Sequence, residues 1–406
     1  MSDKKQEIDM LYGENIFVFR VKQNIDNFSM THVFPMQYKD CQYPVLFEIK
    51  NDTSNKLEKY EIFDDKNKPN KKIKFTFSFL KKNEKIRLHF EYFIIVKNTD
   101  YEYLPKHIDM PNELDISDSA KQWLQPSKPV QSKNFLIKFK SFLINSFRKS
   151  LSNFTYNVSY KICFHRPLLS NVTRILGNMF LNKKYWPYLT DALSCYIFGG
   201  TCAARTNLEV AIFRACNVPA RILIGTSLYY QGEKWCDAQH YFFEYYVPMY
   251  GWIRGMSGRI PYEPKNCIIL RINHQEDENV AGNGFDFYGG CIPWFWIDSD
   301  KVILDFPEEG KYYKSKKGWG RPINRGLIYK ESFTSKEVAE KIFDITLSVW
   351  EKFLVFYGKN LVKENKRFFD NALIFQKKAI QNFHEDDLNK FIENMEKAFQ
   401  EFKKIR

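Results

Sequence analysis

The alternation of hydrophobic and polar positions changes its period along the chain. Between residues 14 and 98 the period is two. Ile73, Phe75, Phe77 and Phe79 alternate with Lys72, Lys74, Thr76 and Ser78, which predicts a strand buried on one face. After the turn Lys81-Lys82-Asn83-Glu84 the alternation resumes with Ile86, Leu88, Phe90 and Tyr92, the pattern of a hairpin. Shorter runs at 15–22, 44–50 and 57–63 have the same character, and Asn51-Asp52-Thr53-Ser54-Asn55 closes the second of them. Short strands separated by polar turns predict an antiparallel β-sandwich. Tyr103 to Pro129, with four prolines, reads as the linker that follows.

From Ser132 the period lengthens to that of a helix. Phe135, Phe139, Phe142, Leu143 and Phe147 fall on one helical face, with Ser132 as the expected N-cap. Between Gly199 and Ile224 the sequence predicts a Gly-Gly turn, a helix to about Cys216, and, after Pro219, a short strand from Arg221 to Ile224. A strand over Tyr241–Val247 follows, then a turn at Pro248–Gly251 and a second strand from Trp252. Beyond Ser335, Val338, Ile342, Ile345 and Val349 recur at helical spacing, and two more helices run through Phe402. Their stripes Phe369/Ala372/Phe375/Ala379 and Phe391/Met395/Phe399 read as packing or partner surface. The expected class is α+β in three parts: a β-sandwich over 1–125, a core over 126–330 and a helical segment over 331–406.

Composition narrows the function classes. With 406 residues, 44% hydrophobic and 17% aromatic, the chain is too apolar to be largely disordered. No apolar run reaches the roughly 18 residues of a membrane span. The first residues lack the apolar stretch of a secretory leader, so a cytoplasmic location is the default expectation. Eight cysteines are too sparse for a disulfide-stapled scaffold. The net charge of +13 could suit a nucleic acid, but lysines interleave with acids, as in Glu393-Asn394-Met395-Glu396-Lys397. That pattern reads as solvated surface, and no nucleic-acid partner is expected. Cys195, Cys202, Cys216 and Cys236 lack paired metal-ligand spacing, and no phosphate-binding glycine motif occurs. Neither a metal nor a cofactor is expected, and the oligomeric state stays open.

The most informative stretch is Gly199-Gly200-Thr201-Cys202-Ala203-Ala204-Arg205. A cysteine in the first turn of a helix sits among unpaired backbone N–H groups, which favour the nucleophilic thiolate. Alone, the pattern also fits a buried structural thiol. Thirty-eight residues on, His240 opens Tyr241-Phe242-Phe243-Glu244, where a histidine at the edge of a packed strand could act as a general base. A hydrogen-bonded core histidine fits that position too.

Taken in order, Gly200-Thr201-Cys202, Asn217-Val218-Pro219-Ala220-Arg221, His240-Tyr241-Phe242-Phe243-Glu244 and Tyr250-Gly251-Trp252 resemble the transglutaminase-like superfamily. The likeness covers roughly residues 130–260, with Leu124-Gln125-Pro126-Ser127 similar to the segment by which bacterial members enter this core. It implies a papain-like thiol site: Cys202 attacks an amide carbonyl and His240 shuttles the proton. It also implies a protein, peptide or peptidoglycan-type substrate, with hydrolysis favoured over glutamine–lysine crosslinking. The family's third residue is an Asp just after the Gly-Trp pair, and Met256 occupies that slot here. Methionine cannot orient an imidazole. Ser257, Asp298 or Asp300 could replace the missing acid, and a catalytically impaired module that binds a protein or glycan is the alternative. Glu244 lies about 13 Å along the strand from His240, too far to orient it, and a pairing with Arg221 is expected instead. Trp186, by analogy, is a candidate oxyanion donor beside the Cys202 backbone N–H.

Overall fold

The computed structural model describes residues 8–39, 41–51, 57–66, 69–97, 107–146, 150–163, 191–200, 202–231, 234–256, 267–274, 278, 295–297, 302–304, 319–320, 323–332, 336–357, 359–385 and 387–406. The N-terminal stretch forms β1 (Ile8–Val21), β2 (Ile25–Phe34), β3 (Gln42–Asn51), β4 (Lys59–Asp64), β5 (Lys71–Leu80) and β6 (Lys85–Lys97). Short helix α1 (Asp118–Lys121), α2 (Phe135–Asn145), α3 (Leu151–Cys163), α4 (Ala192–Phe198) and α5 (Cys202–Ala215) come next. Strands β7 (Ala220–Gln231), β8 (Lys234–Val247), β9 (Gly251–Gly255) and β10 (Cys267–Ile272) follow them. The chain then adds β11 (Phe295–Ile297), β12 (Val302–Leu304), β13 (Trp319–Gly320) and β14 (Ile323–Ser332). It ends in α6 (Lys336–Phe356), α7 (Lys363–His384) and α8 (Leu388–Lys403). The molecule mixes helix and strand as the α+β expectation has it.

The described strands form three antiparallel sheets. One has the order β12-β1-β6-β3, with β14 also paired to β1; a second has β13-β11-β2-β5-β4; the third has β10-β7-β8-β9. Strands β11 to β14 therefore complete the two sheets built from the N-terminal strands, although the sequence assigned residues 295–330 to the core. The predicted alternation of β5 buries Ile73, Phe75 and Phe77, then slips: Phe79 is exposed and Leu80 turns inward. Helix α2 is capped by Asn134, whose side chain accepts from the Leu136 N–H at 2.9 Å, rather than by Ser132.

Helix α6 packs on the N-terminal sheets. Trp350 stacks on Phe34 with ring centroids 6.0 Å apart, Phe343 meets Tyr43 edge-on at 5.0 Å, and Tyr357 donates to the Tyr60 carbonyl at 2.7 Å. Among the described residues no helix is long and apolar enough to cross a membrane.

The N-terminal half docks on the third sheet through paired amides. Gln42 donates from Nε2 to the Ile269 carbonyl (2.8 Å) and accepts at Oε1 from the Ile269 N–H (2.7 Å). Asn70 does the same with Ile272, at 2.7 and 2.8 Å. Edge strand β10 would otherwise present those backbone groups unpaired, so two side chains stand in for a neighbouring strand. Arg271 donates to Asp65 at 2.7 Å beside them. Met36, Tyr38 and Cys41 complete the contact by packing on Trp123, Leu223, Phe242 and Ile269.

Candidate active site

Helix α5 is buried on nearly every side, from Ala203 through Arg214 with Arg205 excepted. It lies inside the domain even though Thr206, Asn207, Glu209 and Arg214 are among its buried residues. Helices α2, α3 and α4 and strands β7 and β8 surround it. Its N-terminus is its open end: Cys202 is half-buried and Arg205 exposed. Cys202 takes part in no disulfide. The turn before it requires glycine twice over. Gly199 has φ +79°, and a Cβ on Gly200 would stand 2.4 Å from the Cβ of Ala204. The turn thus lies flat against the first helical turn, where Cys202 sits.

The far end of α5 is tied down by Arg214. Its guanidinium donates to both carboxylate oxygens of buried Glu278 (3.0 and 2.8 Å), and to the carbonyls of Ala220 (2.9 Å) and Gln125 (2.8 Å). One side chain therefore joins the helix, the following strand, Gln125 and Glu278.

Two contacts set α5 in register with β8. Thr206 donates from Oγ1 to the Tyr241 carbonyl at 3.3 Å. Seven residues on, Phe213 stacks on Tyr245 (5.3 Å) and lies 5.5 Å from Phe243. Helix and strand run in the same sense. One turn back from Thr206, about 6 Å of helix, corresponds to roughly two strand residues back from Tyr241. That step reaches Gln239, so the N-terminal end of α5 lies toward the Gln239–His240 stretch of β8.

The pairing of β7 with β8 sets Gly225 opposite His240, Leu223 opposite Phe242 and Arg221 opposite Glu244. His240 shares its strand face with Phe242, whose ring it meets edge-on at 4.8 Å, and not with Tyr241, Phe243 and Tyr245, which carry α5. Any contact between sulfur and imidazole is made past the N-terminal end of the helix, not beneath its body. Burial lowers the pKa of His240 below the ordinary imidazole value, which keeps the ring neutral and able to accept a proton. Among the described residues the ring has no hydrogen-bond partner to fix its tautomer.

Met256 is partly buried against the cluster of Phe242, Leu223, Tyr38 and Trp123, and its carbonyl accepts from Ser159 Oγ on α3 at 3.1 Å. It supplies apolar packing to that cluster. Ser257, Asp298, Asp300 and Trp186 lie outside the described residues.

Glu244 is fully buried and pairs with Arg221, as its spacing suggested, with Nε and Nη2 at 2.7 and 2.6 Å. Sequence reasoning missed its other partners. Lys39 lies 2.7 Å away and Tyr38 donates its hydroxyl, both from the N-terminal half. Burial alone would raise this carboxyl's pKa, but the charges of Arg221 and Lys39 outweigh it and hold the group at about 2. Arg221 also stacks on Trp252, 4.1 Å from its ring centre. Lys39 reaches the Trp252 carbonyl as well, so one loop of the N-terminal half clasps β8 and β9. Nothing in the local sequence around Tyr38 marks it as a partner of a residue more than two hundred positions away.

No family model matches the chain, and no curated protein does. Among solved structures it is similar to a crystal structure from Cytophaga hutchinsonii named a putative cysteine protease. The TM-score is 0.51 and the identity 12%, with 81% of this chain and 92% of that one covered. At that identity the likeness concerns the fold alone.

Proposed function

We propose that the chain is a thiol-dependent enzyme acting on amide bonds, hydrolysing them in preference to crosslinking glutamine to lysine. Cys202 is the nucleophile and His240 the base. The imidazole takes the thiol proton as sulfur attacks the amide carbonyl, and it returns that proton to the departing amine. The thioester left on Cys202 is then cleaved by water, which His240 deprotonates. The observation that supports this reading is the register of α5 on β8, in which Thr206 on the Tyr241 carbonyl directs the Cys202 end of the helix toward the Gln239–His240 stretch of the strand. The likeness to a cysteine protease fold supports it independently. The substrate we propose is a protein, a peptide or a peptidoglycan-type peptide. In the architecture we propose, the N-terminal strands and those of 295–332 form a sandwich, a transglutaminase-like core carries the chemistry, and the C-terminal helices brace the sandwich.

Met256 favours a second reading. A methionine packed among Phe242 and Trp252 gives His240 no orienting acceptor, as in a module that keeps the fold to bind a protein or glycan. Turnover of a broad peptide and glutamine-donor library separates the two. Release of amine by the wild type that vanishes in Cys202→Ala supports the enzyme. Binding of peptides or glycans without turnover, unchanged in Cys202→Ala, replaces it with the binding module.

A further inference from the structure

Helix α2 is turned the opposite way from an ordinary surface helix. Ile137, Ser141 and Ile144 are buried and mark its inward side. At 100° per residue, Phe135, Leu136, Phe139, Phe142 and Leu143 occupy the opposite arc, roughly a third of the circumference. All five are exposed, Phe135 at 77% and Phe142 at 66%. The aromatic stripe read from the sequence is thus the outer face of the helix. A contiguous apolar face of this kind marks an interaction site. Lys138 and Lys140 flank the arc on its two sides, and Lys133 stands exposed just before the helix. Lys161 on α3 is close enough to act on Lys140, whose pKa is lowered first by burial and then by that charge.

The charge of the surrounding sequence identifies the partner. Between Asp118 and Asp191 the chain contains no Asp or Glu and carries twelve Lys and Arg. The other 49 basic residues nearly balance the 48 acidic ones, so this block holds almost the whole net charge of +13. The interleaving seen near the C-terminus does not extend here. A second copy of the chain would set two such blocks against each other, which like charges oppose. A nucleic acid would use the lysines, but Leu136 and Leu143 in the arc offer it no stacking surface. An anionic lipid surface uses both features.

We propose that the outer face of α2 docks on an anionic phospholipid bilayer. The phenylalanines and leucines enter the boundary between headgroups and acyl chains, and Lys133, Lys138 and Lys140 meet the headgroup charges. This contact does not depend on the chemistry of Cys202.

Flotation of the full chain with vesicles tests it, using phosphatidylcholine alone or with about one third phosphatidylserine. The expected result is binding to the anionic vesicles, at least about tenfold weaker on phosphatidylcholine, and weakened by salt. Phe139→Ser/Phe142→Ser should weaken binding about tenfold or more with unchanged thermal unfolding. If that pair disturbs folding, Phe135→Ser, at the most exposed position, takes its place. Failure to float with either vesicle overturns the proposal, as does binding that the serine variants leave intact or that ignores phosphatidylserine. Capture of a single-stranded oligonucleotide, or a dimer, lost in the same variants without vesicle binding would assign the face to that partner instead.

Discussion

Replacing Glu244 with Gln keeps the shape of the side chain and removes one charge from a site that holds two cations. The carboxyl is fully buried, with Arg221 at 2.6 Å and Lys39 at 2.7 Å. Held at about 2 against an ordinary 4.5, it contributes about 3 kcal/mol to stability at neutral pH, at roughly 1.4 kcal/mol for each tenfold change in proton affinity. Leaving Arg221 uncompensated in a largely buried place puts the expected loss at about 3–5 kcal/mol. The folded-state pKa is depressed, so this stabilisation is full above about pH 4.5 and is lost as pH falls toward 2. Urea unfolding of wild type and Glu244→Gln at pH 7 and pH 3 reads both quantities. The gap between the two proteins should be about 3–5 kcal/mol at pH 7 and clearly smaller at pH 3. His32, whose pKa burial lowers to about 3, also costs stability in acid, but equally in both proteins. A gap below about 1 kcal/mol at pH 7, or one that does not change with pH, would refute the assignment of Glu244 as the charge that joins the two halves.

Gly200→Ala would bring a methyl group within 2.4 Å of the Ala204 Cβ and should cost about 1–3 kcal/mol in thermal or urea unfolding. It should also slow alkylation of Cys202, because the turn that seats the thiol has to lift; unchanged labelling would separate the turn from the thiol. Gln42→Leu leaves the Ile269 N–H and carbonyl without partners and should destabilise the chain by roughly 2–5 kcal/mol. Hydrogen exchange checks its location, with faster exchange expected at the Ile269 amide in β10 than at Tyr241 in β8.

The parts of the fold legible in the sequence are those that local periodicity determines. The strands around Ile73, Leu88, Phe242 and Trp252 carry their own apolar repeat, and the helix after Gly200 is announced by its Gly-Gly turn. The Arg221–Glu244 pair is legible for another reason: the two residues lie opposite each other on adjacent strands of one hairpin. Contacts between distant segments leave no such trace. The pairing of β12 and β14 with β1 and of β11 with β2, and the clasp of Tyr38 and Lys39 on Glu244, depend on chain separations that no local pattern encodes. Periodicity also gives a face without saying what covers it. The stripe of Phe135, Phe139 and Phe142 is a regular helical face, yet it is Ile137 and Ile144 that point inward. At the site itself, the sequence singles out Cys202 and His240 but not Thr206, whose hydroxyl sets the helix in register with the strand.

The central claim is that His240 acts on Cys202. The rate of iodoacetamide alkylation at each cysteine, followed by mass spectrometry between pH 5 and 8, tests it most directly in the wild type and in His240→Ala. The account predicts that Cys202 reacts faster than half-buried Cys216 and buried Cys41 and Cys195. It predicts that the His240→Ala change slows Cys202 about tenfold or more and leaves the other cysteines as they were. Because burial lowers the pKa of His240, the wild-type rate should hold as pH falls through 6.5 and drop only below it. Equal rates at Cys202 in wild type and His240→Ala across that range, or labelling of Cys202 no faster than Cys216, would contradict the account.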